Sequence, residues 1–248
     1  MIEPNLISIA QKGFAKTSTV LLTKTFGGPW WDLDSALMPD SALPEGRPVF
    51  FYSTHSSWWD PMVFALIAIE IFKSRTIAPM DEREFRKYKS LRFAGVFGVS
   101  EGEGQLVEAV IEREFEKFPQ TRVWVTPQGA FAPNELKQPD FKTGLSRWSL
   151  AMRGVRIPVS IHYYFGSEAK PGLFIRVGKP ESPPESLVLA LSKAQTLQEK
   201  NNVFKADSQG LKSKLDEQGE EFLKKIYKVH KGKFVAGGDF LKIERPFL

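Results

Sequence analysis

The chain has 248 residues, of which 42% are hydrophobic and 25% charged, and it contains no cysteine. These values fit one globular domain, or two small ones, with a real core; they exclude a disordered chain, disulfides, thiol nucleophiles and thiolate metal sites. A formal net charge of +5 and a pI near 9.2 favour anionic partners such as lipid headgroups, phosphorylated cofactors or nucleic acid.

Residues 3–25 are predicted to form an amphipathic helix. Ile7, Ala10, Phe14, Thr17 and Leu21 recur at helical spacing, with Lys12 and Lys16 on other faces. Such a stripe suits either a helix lying in a membrane interface or one packed on the core. Gly27-Gly28-Pro29 breaks it, and Trp30-Trp31 then anchor at headgroup level or fill a groove. No apolar run is long enough to span a bilayer, and the N-terminus lacks the pattern of a signal peptide.

Pro48 to Thr54 (PVFFYST) reads as a buried strand that delivers His55 to its C-terminal end. Asp60-Pro61 then opens an almost wholly apolar helix, Met62 to Phe72, that is buried or touches lipid. Strands are predicted at Arg75–Met80, Arg122–Thr126, Arg156–Tyr164 and Leu173–Val177, and helices at Glu103–Lys117 and Lys142–Met152. This alternation implies an α/β fold, a mixed, largely parallel sheet flanked by helices. Residues 185–230 read as helical with an interruption near Asp207 to Gly210, and Leu211, Leu215, Phe222, Ile226 and Val229 share one face. The last segment, with Gly237-Gly238 and Phe247, reads as extended. The expected organisation is an N-terminal helix in 1–31, a core in 32–184 and a helical extension with a tail in 185–248.

His55 sits where a strand ends and a helix begins, which is where α/β folds expose reactive groups. Asp60 follows five residues later. A carboxylate beside an imidazole fixes its tautomer and stabilises the imidazolium, as a general base requires. By spacing alone the pair more readily describes a structural histidine beside a helix-capping aspartate. Ser57 reads as a nucleophile or, more simply, as a turn serine. The basic residues Lys73, Arg75, Arg83, Arg86, Lys87, Lys89 and Arg92 either attract phosphates or form a solvated loop with Asp81, Glu82 and Glu84. No nucleic-acid motif accompanies the charge. His162 and His230 lack ligand spacing, so no metal site is expected; His162 reads as a core histidine.

Four segments, in order, carry a family resemblance. His55-Ser56-Ser57-Trp58-Trp59-Asp60 resembles the His-x4-Asp block of the glycerolipid acyltransferases, the lysophosphatidic acid acyltransferase family. Val125-Thr126-Pro127-Gln128-Gly129-Ala130 lies where that family carries Phe-Pro-Glu-Gly-Thr-Arg, Phe141-Lys142-x-Gly144 resembles its Phe-Lys-x-Gly, and Val155 to Ile161 resembles its closing proline strand. The chain departs from the pattern at Thr54, where the family has asparagine. It departs again at Gly95 to Glu101, which holds no arginine, and at Gln128 and Ala130 or Phe131, which replace glutamate and arginine. Loss of the arginines removes bidentate anion binding and favours a neutral acceptor hydroxyl, as on a sugar or glycolipid.

The resemblance implies acyl transfer from acyl-CoA or acyl carrier protein, as co-substrate, to a hydroxyl of a lipid or glycolipid. His55 would be the general base oriented by Asp60. Ser57, Gln128, Gly129 and Lys142 would contact substrate, with backbone N–H groups of the Gln128-Gly129 turn facing the oxyanion. No bound cofactor or metal is implied. The expected setting is peripheral, on the cytoplasmic face of a membrane. A catalytically silent lipid- or acyl-binding protein on the same fold is the alternative.

Overall fold

A computed structural model describes residues 4–32, 46–132, 140–165, 169–226 and 240–242. The first half runs α1 (Pro4–Thr25), β1 (Trp30–Asp32), β2 (Val49–Ser53), α2 (Asp60–Ala65) continuing as a π-helical turn (Leu66–Ile71), β3 (Thr76–Asp81), α3 (Glu82–Lys87), a 3-10 helix (Lys89–Ala94) and β4 (Val96–Val99). The second half runs α4 (Gly104–Lys117), β5 (Arg122–Val125), α5 (Gly144–Ala151), β6 (Val155–Tyr164), β7 (Gly172–Val177), α6 (Glu185–Lys193), α7 (Leu197–Ile226) and β8 (Phe240–Lys242).

The strands form one sheet in the order β4-β3-β5-β2-β6-β7-β1-β8. From β4 to β6 every pair is parallel. β7 is antiparallel to β6, β1 parallel to β7, and β8 antiparallel to β1. The sheet is therefore mixed and largely parallel, as the alternation of elements predicted.

β2 is buried at every position, which is the signature of a strand covered on both faces. Val49 and Phe51 face a core shared with Leu22 of α1, Phe26 just after it, and Val63, Phe64, Leu66 and Ile67 of α2 and its continuation. Trp124 of β5 is stacked between Phe51 and Phe64, with ring centroids 4.7 and 4.4 Å apart. Phe50 and Tyr52 face the opposite core, with Val107 and Ile111 of α4, Leu145 and Trp148 of α5, and Leu211 and Leu215 of α7. The N-terminal helix, the middle of the chain and the C-terminal helix thus all pack on one sheet.

The structure resolves or departs from several expectations. On α1 the buried face is Gln11, Ala15, Ser18 and Leu22, whereas Thr17 and Leu21 are exposed and Phe14 only half-buried. The Gln11 amide donates to the Thr76 carbonyl at 2.6 Å, so a polar residue serves the core side of the helix. Trp30 and Trp31 are not surface anchors: they form β1, pairing with Phe174 and Ile175 of β7, and Trp31 is buried.

The helical extension does not break at Asp207 to Gly210, which lies inside α7. The break falls at 194–196, where α7 starts on a reciprocal cap. Thr196 N donates to the Glu199 carboxylate at 2.9 Å and Glu199 N to Thr196 Oγ1 at 3.1 Å. Asp207 is buried and accepts from Arg156 Nη1 with both oxygens at 2.7 Å. Ser208 meets Ser146 of α5 at 2.8 Å. Leu211, Leu215, Phe222 and Ile226 line the buried face, as expected. Val229, Gly237, Gly238 and Phe247 lie outside the described residues. The basic stretch after α2 is not a plain loop but contains β3, α3 and the 3-10 helix.

Candidate active site

His55 leaves the C-terminal end of β2, and Asp60 is the first residue of α2. The short loop between them folds back so that His55 Nδ1 and Asp60 Oδ2 are 2.8 Å apart. Asp60 is fully buried, its side chain 0% exposed. A lone buried carboxylate would be costly, and here four donors offset that cost. The amides of Ser56 and Ser57 donate to Oδ2 at 3.0 and 3.1 Å, His55 Nδ1 joins them, and the Tyr163 hydroxyl donates to Oδ1 at 2.8 Å. An acceptor facing Nδ1 places the imidazole proton there and leaves the Nε2 lone pair to take a proton from elsewhere.

Tyr163 escaped the reading of the sequence. It stands on β6, the strand beside β2, 103 residues from Asp60. Its ring packs on Phe26, which in turn meets Trp59 edge-on at 5.4 Å. Burial first, and the neighbouring Asp60 charge second, push the Tyr163 hydroxyl above the ordinary tyrosine range. It therefore serves as a donor that keeps its proton.

The turn after β5 closes over the same loop. Gln128 is buried, and its Nε2 donates to the carbonyls of His55 and Ala130, both at 3.0 Å. The opposite amide orientation would aim Oε1 at two carbonyls, so this one is chemically required. Ala132 N also donates to the His55 carbonyl, at 2.9 Å. Gln128 braces the loop that carries the base. The Gly129 N–H is engaged within its own turn, donating to Thr126 O at 3.0 Å. Gly129 has φ +67, and a Cβ there would lie 2.9 Å from Lys142 Nζ. Lys142 thus lays its side chain across the turn, which needs glycine both for its backbone angle and for this contact.

Ser57 gives its backbone N–H to Asp60, and its Oγ accepts from Trp59 N at 3.3 Å. That is the arrangement of a turn serine. Phe131, at one of the positions where the resemblance implied an arginine, lies on the imidazole with ring centroids 4.0 Å apart. The structure thus brings His55, Asp60, Ser57, Gln128, Gly129 and Lys142 into one neighbourhood and adds Tyr163 and Phe131 to it. Ser100 and Glu101 follow β4, at the same end of the sheet but three strands over, about 14 Å away at ordinary strand spacing.

The basic stretch is largely paired. Arg75 meets Glu114, Arg83 meets Asp81, Arg86 meets Glu82 and Lys87 meets Glu84. Among the described residues no group of three His, Asp or Glu is placed to hold a metal.

His162 lies buried on β6, facing away from the Asp60 side, and burial lowers its pKa to about 4. Between that value and the unfolded value of about 6.5 the unfolded chain binds more protons. The contribution of His162 to stability should thus fall as pH drops from about 6.5 towards 4 and change no further below that, by about 3 kcal/mol in total. Urea midpoints measured from about pH 7 to pH 4.5 should drop less steeply in His162→Gln than in the unaltered chain; equal slopes would refute the assignment.

By sequence, no family model and no curated protein matches the chain. By structure it is similar to the 1-acyl-sn-glycerophosphate (LPA) acyltransferase PlsC from Thermotoga maritima. The two are 15% identical, with a TM-score of 0.51, over 87% of this chain and 79% of that one. The chain has a glycerolipid acyltransferase-like fold: helices on both faces of a mixed, largely parallel sheet.

Proposed function

We propose that the chain is an O-acyltransferase that moves a fatty acyl group from an acyl thioester, on coenzyme A or acyl carrier protein, to a hydroxyl of a lipid or glycolipid. The observation that carries this is the buried Asp60, held by four donors, with His55 Nδ1 at 2.8 Å. The acceptor hydroxyl gives its proton to His55 Nε2 as its oxygen attacks the thioester carbonyl. Asp60 stabilises the imidazolium. Collapse of the tetrahedral intermediate expels the thiolate, which takes the proton from Nε2. No covalent enzyme intermediate is needed. With the Gly129 N–H engaged in its turn, Lys142 is the cation best placed at that turn to face the donor's negative charge.

A peripheral position on the cytoplasmic face of a membrane accompanies this reading. Among the described residues no helix is long and apolar enough to cross a bilayer. The outer side of α1 instead presents Ile9, Val20 and Leu21 with Lys12 and Lys16, a mixture that suits an interface with anionic lipid. Phe26, just after α1, packs on Trp59 and Tyr163 beside the site.

Transfer of radiolabelled acyl groups from acyl-CoA to a lipid extract should fall at least about a hundredfold in His55→Ala. Undiminished transfer would end the assignment of the base. A second reading, a silent lipid-binding protein, is favoured by Gln128, whose amide is engaged by backbone carbonyls. It requires that no slow thioester hydrolysis depend on His55 when acyl-CoA is incubated with the protein and water alone.

A further inference from the structure

Phe131 lies against His55 with planes tilted by 32° and yet remains 62% exposed. Part of its ring thus borders the solvent beside the base. Trp58, on the loop between His55 and Asp60, is 61% exposed and its ring centroid lies 4.4 Å from that of Trp59. The surroundings of the base are aromatic and open.

An aromatic face carries the negative part of the ring's quadrupole. It attracts cations and C–H groups and disfavours anions. An acceptor oxygen bound at Nε2 holds its neighbouring carbons within a few ångströms of that ring. A phosphate there would be stripped of water against a face of like sign, and would need cations to offset the loss. Among the described residues the cation–ring contacts fall on Phe118 and Phe93, and the His55 ring is bonded to Asp60. The nearest cation that the contacts reveal, Lys142, rests on Gly129, and the arginines of α3, Arg83 and Arg86, are engaged with Asp81 and Glu82.

We infer that Phe131 sets acceptor specificity: it admits an uncharged alcohol whose carbon skeleton lies against its ring and rejects one that carries a phosphate beside the reacting hydroxyl. The inference rests on the acyl-transfer reading above and narrows it to neutral acceptors.

The test uses the full chain, palmitoyl-CoA and two acceptors that differ only in the phosphate, 1-palmitoylglycerol and 1-palmitoylglycerol 3-phosphate. The unaltered protein should favour the uncharged acceptor in kcat/KM by at least about tenfold. Phe131→Arg, at a position 62% exposed, should shift that ratio towards the phosphate by roughly tenfold to a hundredfold. Phe131→Leu, without a charge, should keep the original preference. Preference of the unaltered chain for the phosphate acceptor, or a ratio unmoved by Phe131→Arg, overturns the inference and leaves acyl transfer standing. Transfer to neither acceptor overturns it too. In that case His55-dependent hydrolysis of palmitoyl-CoA, measured without acceptor, decides the deeper question: acyl-thioester chemistry survives if hydrolysis persists and falls if it is absent.

Discussion

Asp60→Ala is expected to lower kcat for acyl transfer by about a thousandfold to ten-thousandfold, with KM for both substrates little changed. The loss is larger than a single missing hydrogen bond because one carboxylate satisfies four donors. Alanine leaves the Ser56 and Ser57 amides, the Tyr163 hydroxyl and the imidazole Nδ1–H without their acceptor. The loop can then relax, and the imidazole is free to take the tautomer that has no lone pair at Nε2.

Asparagine divides this effect into parts. Its amide oxygen can occupy the Oδ2 position and accept from His55 and both serine amides, while its NH2 group faces the Tyr163 oxygen. The tautomer survives and the negative charge does not. Asp60→Asn should therefore retain more activity than Asp60→Ala, with a loss of about a hundredfold that reports charge stabilisation of the imidazolium. Tyr163→Phe removes one donor of the four, and about a tenfold loss in kcat is expected. Steady-state kinetics on the three variants, with circular dichroism as a check on folding, should rank Tyr163→Phe as the mildest, Asp60→Asn next and Asp60→Ala as the worst. Equal activity of Asp60→Ala and the unaltered chain would remove Asp60 from the mechanism.

On the other face of the sheet, Asp207→Ala should cost about 3–5 kcal/mol of stability. Arg156 is 1% exposed and its guanidinium meets Asp207, itself 3% exposed, at 2.7 Å. Removing the carboxylate strands a cation in the core. Glu181 is bonded to Arg156 through the backbone, and its carboxylate is directed to Lys214 instead. Arg156, Asp207 and Tyr52 are all buried, so solvent screens the stranded charge little; burial first, and the charge of Glu181 second, likewise push the Tyr52 hydroxyl above its ordinary range. For a chain of this length the cost corresponds to a fall in Tm on the order of 10 °C. The paired change Arg156→Met with Asp207→Leu should recover most of it, since a buried ion pair is often replaceable by apolar groups of similar volume. Urea unfolding of the single and double variants checks both halves. A single variant as stable as the parent would mean that the pair contributes nothing.

How legible was all this in the residues? β2 was, because PVFFYST is apolar for most of its length and bounded by proline. So were His55 and Asp60, whose contact is local. Tyr163 was not: nothing in its own segment points to Asp60, and only the pairing of β6 with β2 brings them together. The buried face of α1 was hidden because Gln11 and Ser18 are polar yet lie inward, so counting apolar residues selected the wrong side. Asp207-Ser208-Gln209-Gly210 has the composition of a turn but is helical, since its first two residues find partners in Arg156 and Ser146. The true boundary was readable in Thr196 and Glu199, a capping box that hydrophobic periodicity alone overlooks. Gln128 and Gly129 point to substrate only by analogy; the hydrogen bonds of Gln128 to the His55 and Ala130 carbonyls, and of Gly129 to Thr126, could not be read from their segment.

The distance along the chain between Asp60 and Tyr163 has a consequence for synthesis. A ribosome releases the N-terminal part first, whereas strands of one sheet dock as a unit. The imidazole and its carboxylate emerge together, five residues apart. The last donor to the carboxylate arrives only when β6 has left the exit tunnel and docked beside β2. A nascent chain halted between those points holds both partners of the pair without the strand that clamps them. The constellation is complete only once β6 is present, so a product that ends before it lacks the Tyr163 donor to Asp60.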